Sequence, residues 1–302
     1  MWPPKQCWPE NLFIPPGSLT SADNLQSPMS SCDAPRQVAD LAGKTFHLAS
    51  PLLLTKKLGS GTFGAVYKAE FCEKHFACKA MPLTTTKEYE DFSNECMILS
   101  QIQLKPHKNI VTYLGHDYPN ETEKIGFFFF EIAPLGTLDD YRIQEGVNGA
   151  LDKKSALKIF NQIAKALALL HSIGIYHRDL TDFGLAVLDS RSSAPFFTDA
   201  FGSLAYAAPE VLVESPEYKA DQADLWGASI TLVETVLGDL PWSKAMPESA
   251  RFSKFVASEH KAKNAWPQFD DLGAIYDLLH PDPKIRRVPG SYGQALKKYR
   301  RH

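Results

Sequence analysis

Three groups of residues have types and spacings that could do chemistry. Gly59, Gly61 and Gly64 stand in GSGTFGAV, and glycines so spaced let backbone amides approach an anion with no Cβ in the way. Lys79 in HFACKA and Glu95 in KEYEDFSNECMILSQI are an ammonium and a carboxylate set among apolar neighbours. The run His177–Ala186 reads HRDLTDFGLA, in which the carboxylates Asp179 and Asp182 are three residues apart.

The glycine loop admits several readings. A dinucleotide-binding turn needs a helix to start at its third glycine and an acidic residue about 20 residues on. Here AVYKAEF follows with strand-like alternation, which excludes that reading. A Walker loop needs Lys-Ser or Lys-Thr after its last glycine, and none is present. Two readings stay open. One is a plain flexible hairpin. The other is a glycine-rich hairpin over nucleotide phosphates, which asks for a valine two residues past the third glycine; Val66 is there.

At 100° per residue, Phe92, Ile98, Leu99 and Ile102 form an apolar arc with Glu95 near its middle. A lone carboxylate in that arc is costly unless neutralised or paired. Lys79 on a neighbouring strand is the natural partner. The alternative is a helix rotated so that Glu95 lies at a solvated rim. A lysine held by such a carboxylate is placed to meet α- and β-phosphate oxygens.

Positioning these groups requires particular elements. LLLTKKLGSG, GAVYKAEF and HFACKAMPL read as three strands, KEYEDFSNECMILSQI as a helix, and NIVTYLGHDY and KIGFFFFEI as further strands. Beyond Gly136 the pattern turns helical. SALKIFNQIAKALALLHSIG puts Phe160, Ile163, Ala164, Leu167 and Leu170 on one face and stops at Gly174. QADLWGASITLVETVLG is apolar nearly throughout and reads as a buried helix, with DLGAIYDLLH helical near the end. Residues 1–50 are rich in Pro, Ser, Asn and Asp without a sustained period and read as a disordered tail.

Bulk properties narrow the class. The 302 residues are 44% hydrophobic and 22% charged, as in a folded domain, and the net charge of −3 gives no basic field for nucleic acid. The five cysteines form no CxxC pair and read as reduced thiols of a cytoplasmic or nuclear protein. The opening MWPPKQCWPENLFIPP lacks the apolar core of a secretory leader. No segment approaches the ~20 apolar residues of a membrane span. His107, His116, His171 and His177 show no metal-ligand spacing, and KAKNAW and KKYRRH are brief basic runs that suit a solvated face.

Taken together, GSGTFGAV, Ala77–Lys79, Glu95, HRDL, DFG, APE at Ala208–Glu210 and DLW at Asp224–Trp226 resemble, in order and largely in spacing, the motifs of the eukaryotic protein kinase family, Ser/Thr type. The resemblance implies an α+β, bilobal fold over residues 51–302, with a β-rich N-lobe of about 51–133 carrying one helix and an α-rich C-lobe of about 134–302. It implies ATP and Mg²⁺ as cofactors and a protein Ser/Thr hydroxyl as acceptor. By this resemblance Leu58, Gly59, Gly61, Gly64, Val66, Ala77 and Lys79 bind ATP, together with the backbone at Glu131 and Ala133, and Phe130 is the gatekeeper beside them. Asp179 orients the hydroxyl and takes its proton, and Asp182 holds Mg²⁺. Arg178 pairs with an activation-loop phosphate, for which Thr198 is the candidate acceptor of an upstream kinase; an ordinary exposed threonine is the other reading. Ser203 stands at the threonine position of the segment that distinguishes Ser/Thr kinases. Glu210 should pair with Arg286, and Asp224 should anchor the catalytic loop.

One departure is large. The family's catalytic loop carries an Asn five residues after its Asp, and here that place is Gly184 of DFG. Roughly 15 residues are missing, with the lysine that meets the γ-phosphate, the Asn of the second Mg²⁺ and a short hairpin beneath the adenine. Leu180 and Thr181 alone fill the gap, so Asp179 and Asp182 are at most about 11 Å apart. Three accounts stand: a segment lost in gene prediction, a pseudokinase or scaffold, and an active enzyme with an unusual loop.

Overall fold

Alternating burial along short strands builds the first of two units. The computed structural model describes residues 40–47, 51–61, 63–71, 74–117, 124–178, 186–188, 196–197, 204–213, 218–258 and 277–286. One unit lies within Met1–Pro106 and Val111–Pro134, the other within His107–Ile110 and Leu135–His302.

The first unit holds strands β1 (Thr45–His47), β2 (Pro51–Gly61), β3 (Gly64–Phe71), β4 (Lys74–Pro82), β5 (Tyr113–Asp117) and β6 (Ile125–Phe130). They pair antiparallel in the order β1-β2-β3-β4-β6-β5. Successive side chains on a strand point to opposite faces. Cys78, Ala80, Phe127 and Phe129 therefore join Leu52, Leu54, Tyr67 and Phe76 in one buried cluster. Phe46 meets Phe127 edge-on at 5.0 Å and Phe76 meets Phe129 at 5.5 Å. Burial among these groups pushes the Cys78 thiol far above its usual pKa.

β1 lies inside the stretch that composition reads as a tail. Three residues are too few to show a period; the strand exists because Phe46 pairs across to Leu52 and is buried. Leu41 is buried too, and its N–H donates to the Tyr67 hydroxyl at 3.1 Å. Leu41 and Phe46 therefore join the core of this sheet.

Helix α1 (Thr86–Gln103) packs against β4 and β5. Thr85 caps its start, its hydroxyl accepting from Glu88 N–H while the Glu88 carboxylate accepts from Thr85 N–H. The buried side is Phe92, Glu95, Cys96, Ile98, Leu99 and Ile102, which is the arc read from the sequence.

The second unit contains α2 (Leu138–Glu145), α3 (Lys153–Ser172), α4 (Pro209–Leu212), α5 (Ala220–Leu237) and α6 (Ala250–Ala257). Asp152 caps α3 by accepting from the amides of Lys154 and Ser155. α3 packs on α5, which is buried on nearly every side and stops at Gly238 with φ +78°. Among the described residues two short antiparallel pairs accompany them: β7 (Ile175–Tyr176) with β8 (Val187–Leu188), and β9 (Phe196–Phe197) with β10 (Tyr218–Lys219). Of DLGAIYDLLH, Asp277 and Leu278 are helical and the residues before them lie outside those described. No described helix is long and apolar enough to cross a membrane.

Candidate functional site

Strand register places the first group of residues. Val66 lies opposite both Gly59 and Lys79, Lys79 opposite Phe128, and Ala77 opposite Phe130. With the period of two, Gly59, Val66, Ala77, Lys79, Phe128 and Phe130 share one face of the sheet, the one turned away from the Phe127–Phe129 cluster. Val66, Ala77 and Phe130 are half-buried, so this face offers an apolar patch beside a lysine.

Lys79 is 5% exposed and Glu95 1%. The ammonium donates to both carboxylate oxygens, at 2.9 and 2.8 Å, which is what a carboxylate in the middle of an apolar arc requires. The rings of Phe63 and Phe128 each lie 6.0 Å from Nζ. Phe63 stands in the turn of the glycine hairpin, so the hairpin reaches over the lysine.

The hairpin's glycines differ in what they do. A Cβ on Gly64 would come within 2.2 Å of the Ala80 carbonyl oxygen, so the turn itself demands glycine there. At Gly59 and Gly61 an added Cβ meets nothing within 4 Å. Glycine in a strand weakens it, and at these two positions no atom of the described residues explains the choice. A group approaching from outside the chain would. A polyphosphate over the hairpin backbone, with its charge at Lys79 and a flat base on Val66 and Ala77, fits these residues. Leu58 is 44% exposed at the strand's end. Ala133 is also exposed. Glu131 ties itself to Thr112, its N–H donating to the Thr112 carbonyl and its carboxylate accepting from the Thr112 amide, both at 2.9 Å.

The second unit collects the other group. Asp224 on α5 is 2% exposed. It accepts from the amides of His177 at 2.9 Å and Arg178 at 2.7 Å, and is bonded to His171 Nε2 at 2.8 Å. Arg178 has φ +63°, a left-handed conformation that a side chain of its size rarely adopts. The turn at His177–Arg178 thus hangs on one carboxylate. Just before it, β7 pairs with β8, Tyr176 opposite Val187 and Ile175 opposite Leu188.

Nearby on the same helix, Gln222 offers its carbonyl to Arg286 Nη1 at 2.9 Å. The two Glu210 oxygens take Arg286 Nη1 and Nη2 at 2.6 and 2.9 Å, a bidentate fork. The His280 carbonyl takes Nε at 3.1 Å, and the guanidinium lies 4.8 Å above the Trp226 ring.

A family model for the protein kinase domain matches residues 53–289. The chain belongs to the protein kinase family. It is 29% identical over 269 residues to calcium-dependent protein kinase 11 of Arabidopsis thaliana, covering 80% of this chain and 52% of that protein. It is 29% identical to the serine/threonine-protein kinase grp of Drosophila melanogaster, over 77% of this chain and 48% of that one. With the serine/threonine-protein kinase chk-1 of Caenorhabditis briggsae it shares 26%, over 71% and 46%. The chain spans about half the length of the relatives it matches. Its fold is the α+β fold of that family: an antiparallel sheet with one long helix, followed by a helical unit.

Within this kinase domain Asp179, Asp182, Thr198 and Ser203 lie outside the described residues. The structure brings together Lys79 with Glu95, Glu210 with Arg286, and Asp224 with the backbone of His177 and Arg178. Sequence reasoning missed Phe63, His171 and Tyr218. The partner of His171 is 53 residues away and that of Tyr218 is 40, so neither contact leaves a local signal. It also missed a buried network in which Arg142 binds Glu234 at 2.7 Å and Asp139 at 3.0 Å, while the Tyr206 hydroxyl donates to Glu234. Burial and that hydrogen bond raise the Tyr206 pKa well above the phenol's usual value.

Proposed function

We propose that this chain is an ATP-dependent protein serine/threonine kinase that transfers the γ-phosphoryl group of ATP to Ser or Thr hydroxyls of a protein. The observation that carries this reading is the buried Lys79–Glu95 pair beside a glycine hairpin whose Gly59 and Gly61 leave open space. Lys79 holds the α- and β-phosphates and Glu95 fixes Lys79. The hairpin amides neutralise phosphate charge, and Val66 and Ala77 pack on the adenine, which the backbone at Glu131 and Ala133 holds by its edge. Asp179 orients the acceptor hydroxyl and takes its proton as the new O–P bond forms and ADP leaves. Mg²⁺, when bound, offsets charge on the phosphates, with Asp182 as its ligand by motif. Substrate positioning and fixed charges supply most of the catalysis in such a site.

Further parts of the reading follow the family. An upstream kinase acts on Thr198, Arg178 receives that phosphate, and the protein works in the cytoplasm or nucleus. The names of its relatives favour transfer. The two-residue gap between Asp179 and Asp182 favours the other reading, a non-catalytic module that keeps the fold. Incubation of the full chain with γ-labelled ATP, Mg²⁺ and a pool of Ser/Thr-containing peptides separates them. Label on Ser or Thr that disappears in Asp179→Ala supports transfer. Nucleotide binding without label sinks it.

A further inference from the structure

Tyr218 lies two residues before the start of α5, 5% exposed, with its backbone paired to Phe197 in β10–β9. Its hydroxyl accepts from two donors of one side chain, Arg178 Nε at 3.2 Å and Nη2 at 3.1 Å. Arg178 is also the residue at φ +63°, with its amide on Asp224 at 2.7 Å. An arginine backbone in the left-handed region persists only where the surroundings over-determine it. Among the described residues two of these constraints are visible. Asp224 holds the backbone, and Tyr218 holds the head of the side chain.

From this geometry we infer that Tyr218 is a positioning residue for phosphoryl transfer. Its hydroxyl clamps Arg178 and so holds the His177–Arg178 turn, which immediately precedes Asp179 in the sequence. A hydrogen bond to a charged donor is stronger than a neutral one, and a forked pair also fixes orientation. The same residue belongs to β10, whose partner β9 ends one residue before Thr198. Docking of that strand and setting of the catalytic turn therefore share Tyr218. The inference rests on the kinase reading for its consequence and on the geometry alone for the clamp.

Tyr218→Phe removes one oxygen and keeps the ring, so the core around it is retained. In the full chain this variant should lower kcat roughly tenfold while leaving KM for ATP unchanged, since a misplaced base slows chemistry without touching nucleotide contacts. Hydrogen exchange at the His177 and Arg178 amides should become faster, with helices α3 and α5 unaffected. A kcat equal to that of the parent chain overturns the positioning role, as does a loss confined to KM. Unchanged exchange at those two amides overturns the clamp itself, and it does so whether or not the chain transfers phosphate. A chain without transfer whose Tyr218→Phe form exchanges faster keeps the clamp and loses the kinase reading.

Discussion

Two buried ion pairs, one in each unit, solve the same problem differently. Arg286 is met on every side by its own protein: the forked Glu210 carboxylate, the carbonyls of Gln222 and His280, and the face of Trp226. Lys79 is met by the Glu95 carboxylate and by the flat faces of Phe63 and Phe128, on a sheet face that carries a half-buried apolar patch. A planar fork with five donors suits a closed, fully satisfied site, whereas an ammonium is a compact charge that a second anion can share. The first pair is built to hold the unit together. The second holds a compact ammonium against one face of the sheet.

Replacing each pair by apolar residues should expose the difference. Arg286→Leu with Glu210→Leu leaves the carbonyls of Gln222 and His280 without this donor, so urea unfolding should show a loss of about 2–5 kcal/mol, roughly 1–3 kcal/mol for each orphaned carbonyl. Lys79→Met with Glu95→Leu removes both charges from an apolar setting and should change stability by no more than about 1 kcal/mol. The same double variant should lose roughly 100- to 1000-fold in phosphoryl transfer. If the two double variants cost equal stability, the contrast drawn here is wrong.

A third variant sharpens the role of the open hairpin. Gly61→Ala adds a methyl that meets no atom of the described residues. Its unfolding free energy should stay within about 0.5 kcal/mol of the parent, while nucleotide affinity, read by calorimetry, should weaken roughly tenfold as the methyl intrudes on the phosphates. Loss of stability with unchanged affinity would mean that the hairpin serves the sheet alone.

The smallest effect is a pH dependence confined to the first unit. His116 on β5 packs on Phe92 and Phe128 and is bonded to the Tyr113 hydroxyl. Burial lowers its pKa below 6.5. A histidine whose folded pKa is depressed takes up its proton more readily in the unfolded chain, so it stabilises the fold above about pH 6.5 and that stability is lost as the pH falls. The urea midpoint should drop on acidification through this window, and His116→Gln should flatten the drop.

What the sequence disclosed follows from the range of the interactions. Glu95 was legible because its arc repeats within four turns of one helix, and a buried charge advertises its need for a partner. The strands β2, β3, β4 and β6 were legible because each carries enough residues to show a period. β1 was not, since its three residues have no period of their own and depend on Leu52 across the sheet. The Arg142–Glu234 and His171–Asp224 contacts join residues 92 and 53 positions apart, and nothing in either local pattern points to the other. Asp179 and Asp182 were legible as motifs, and they stand outside the described residues.

The alternation along β4 also guards assembly. Cys78 and Ala80 face the phenylalanine cluster, and Lys79 between them faces the other way. A nascent strand paired one residue out of step would press the ammonium in among Phe76, Phe127 and Phe129 and carry a thiol to Glu95. Such a mistake strands two uncompensated charges in hydrocarbon at once. A one-residue slip of β4 is therefore disfavoured by both groups at once.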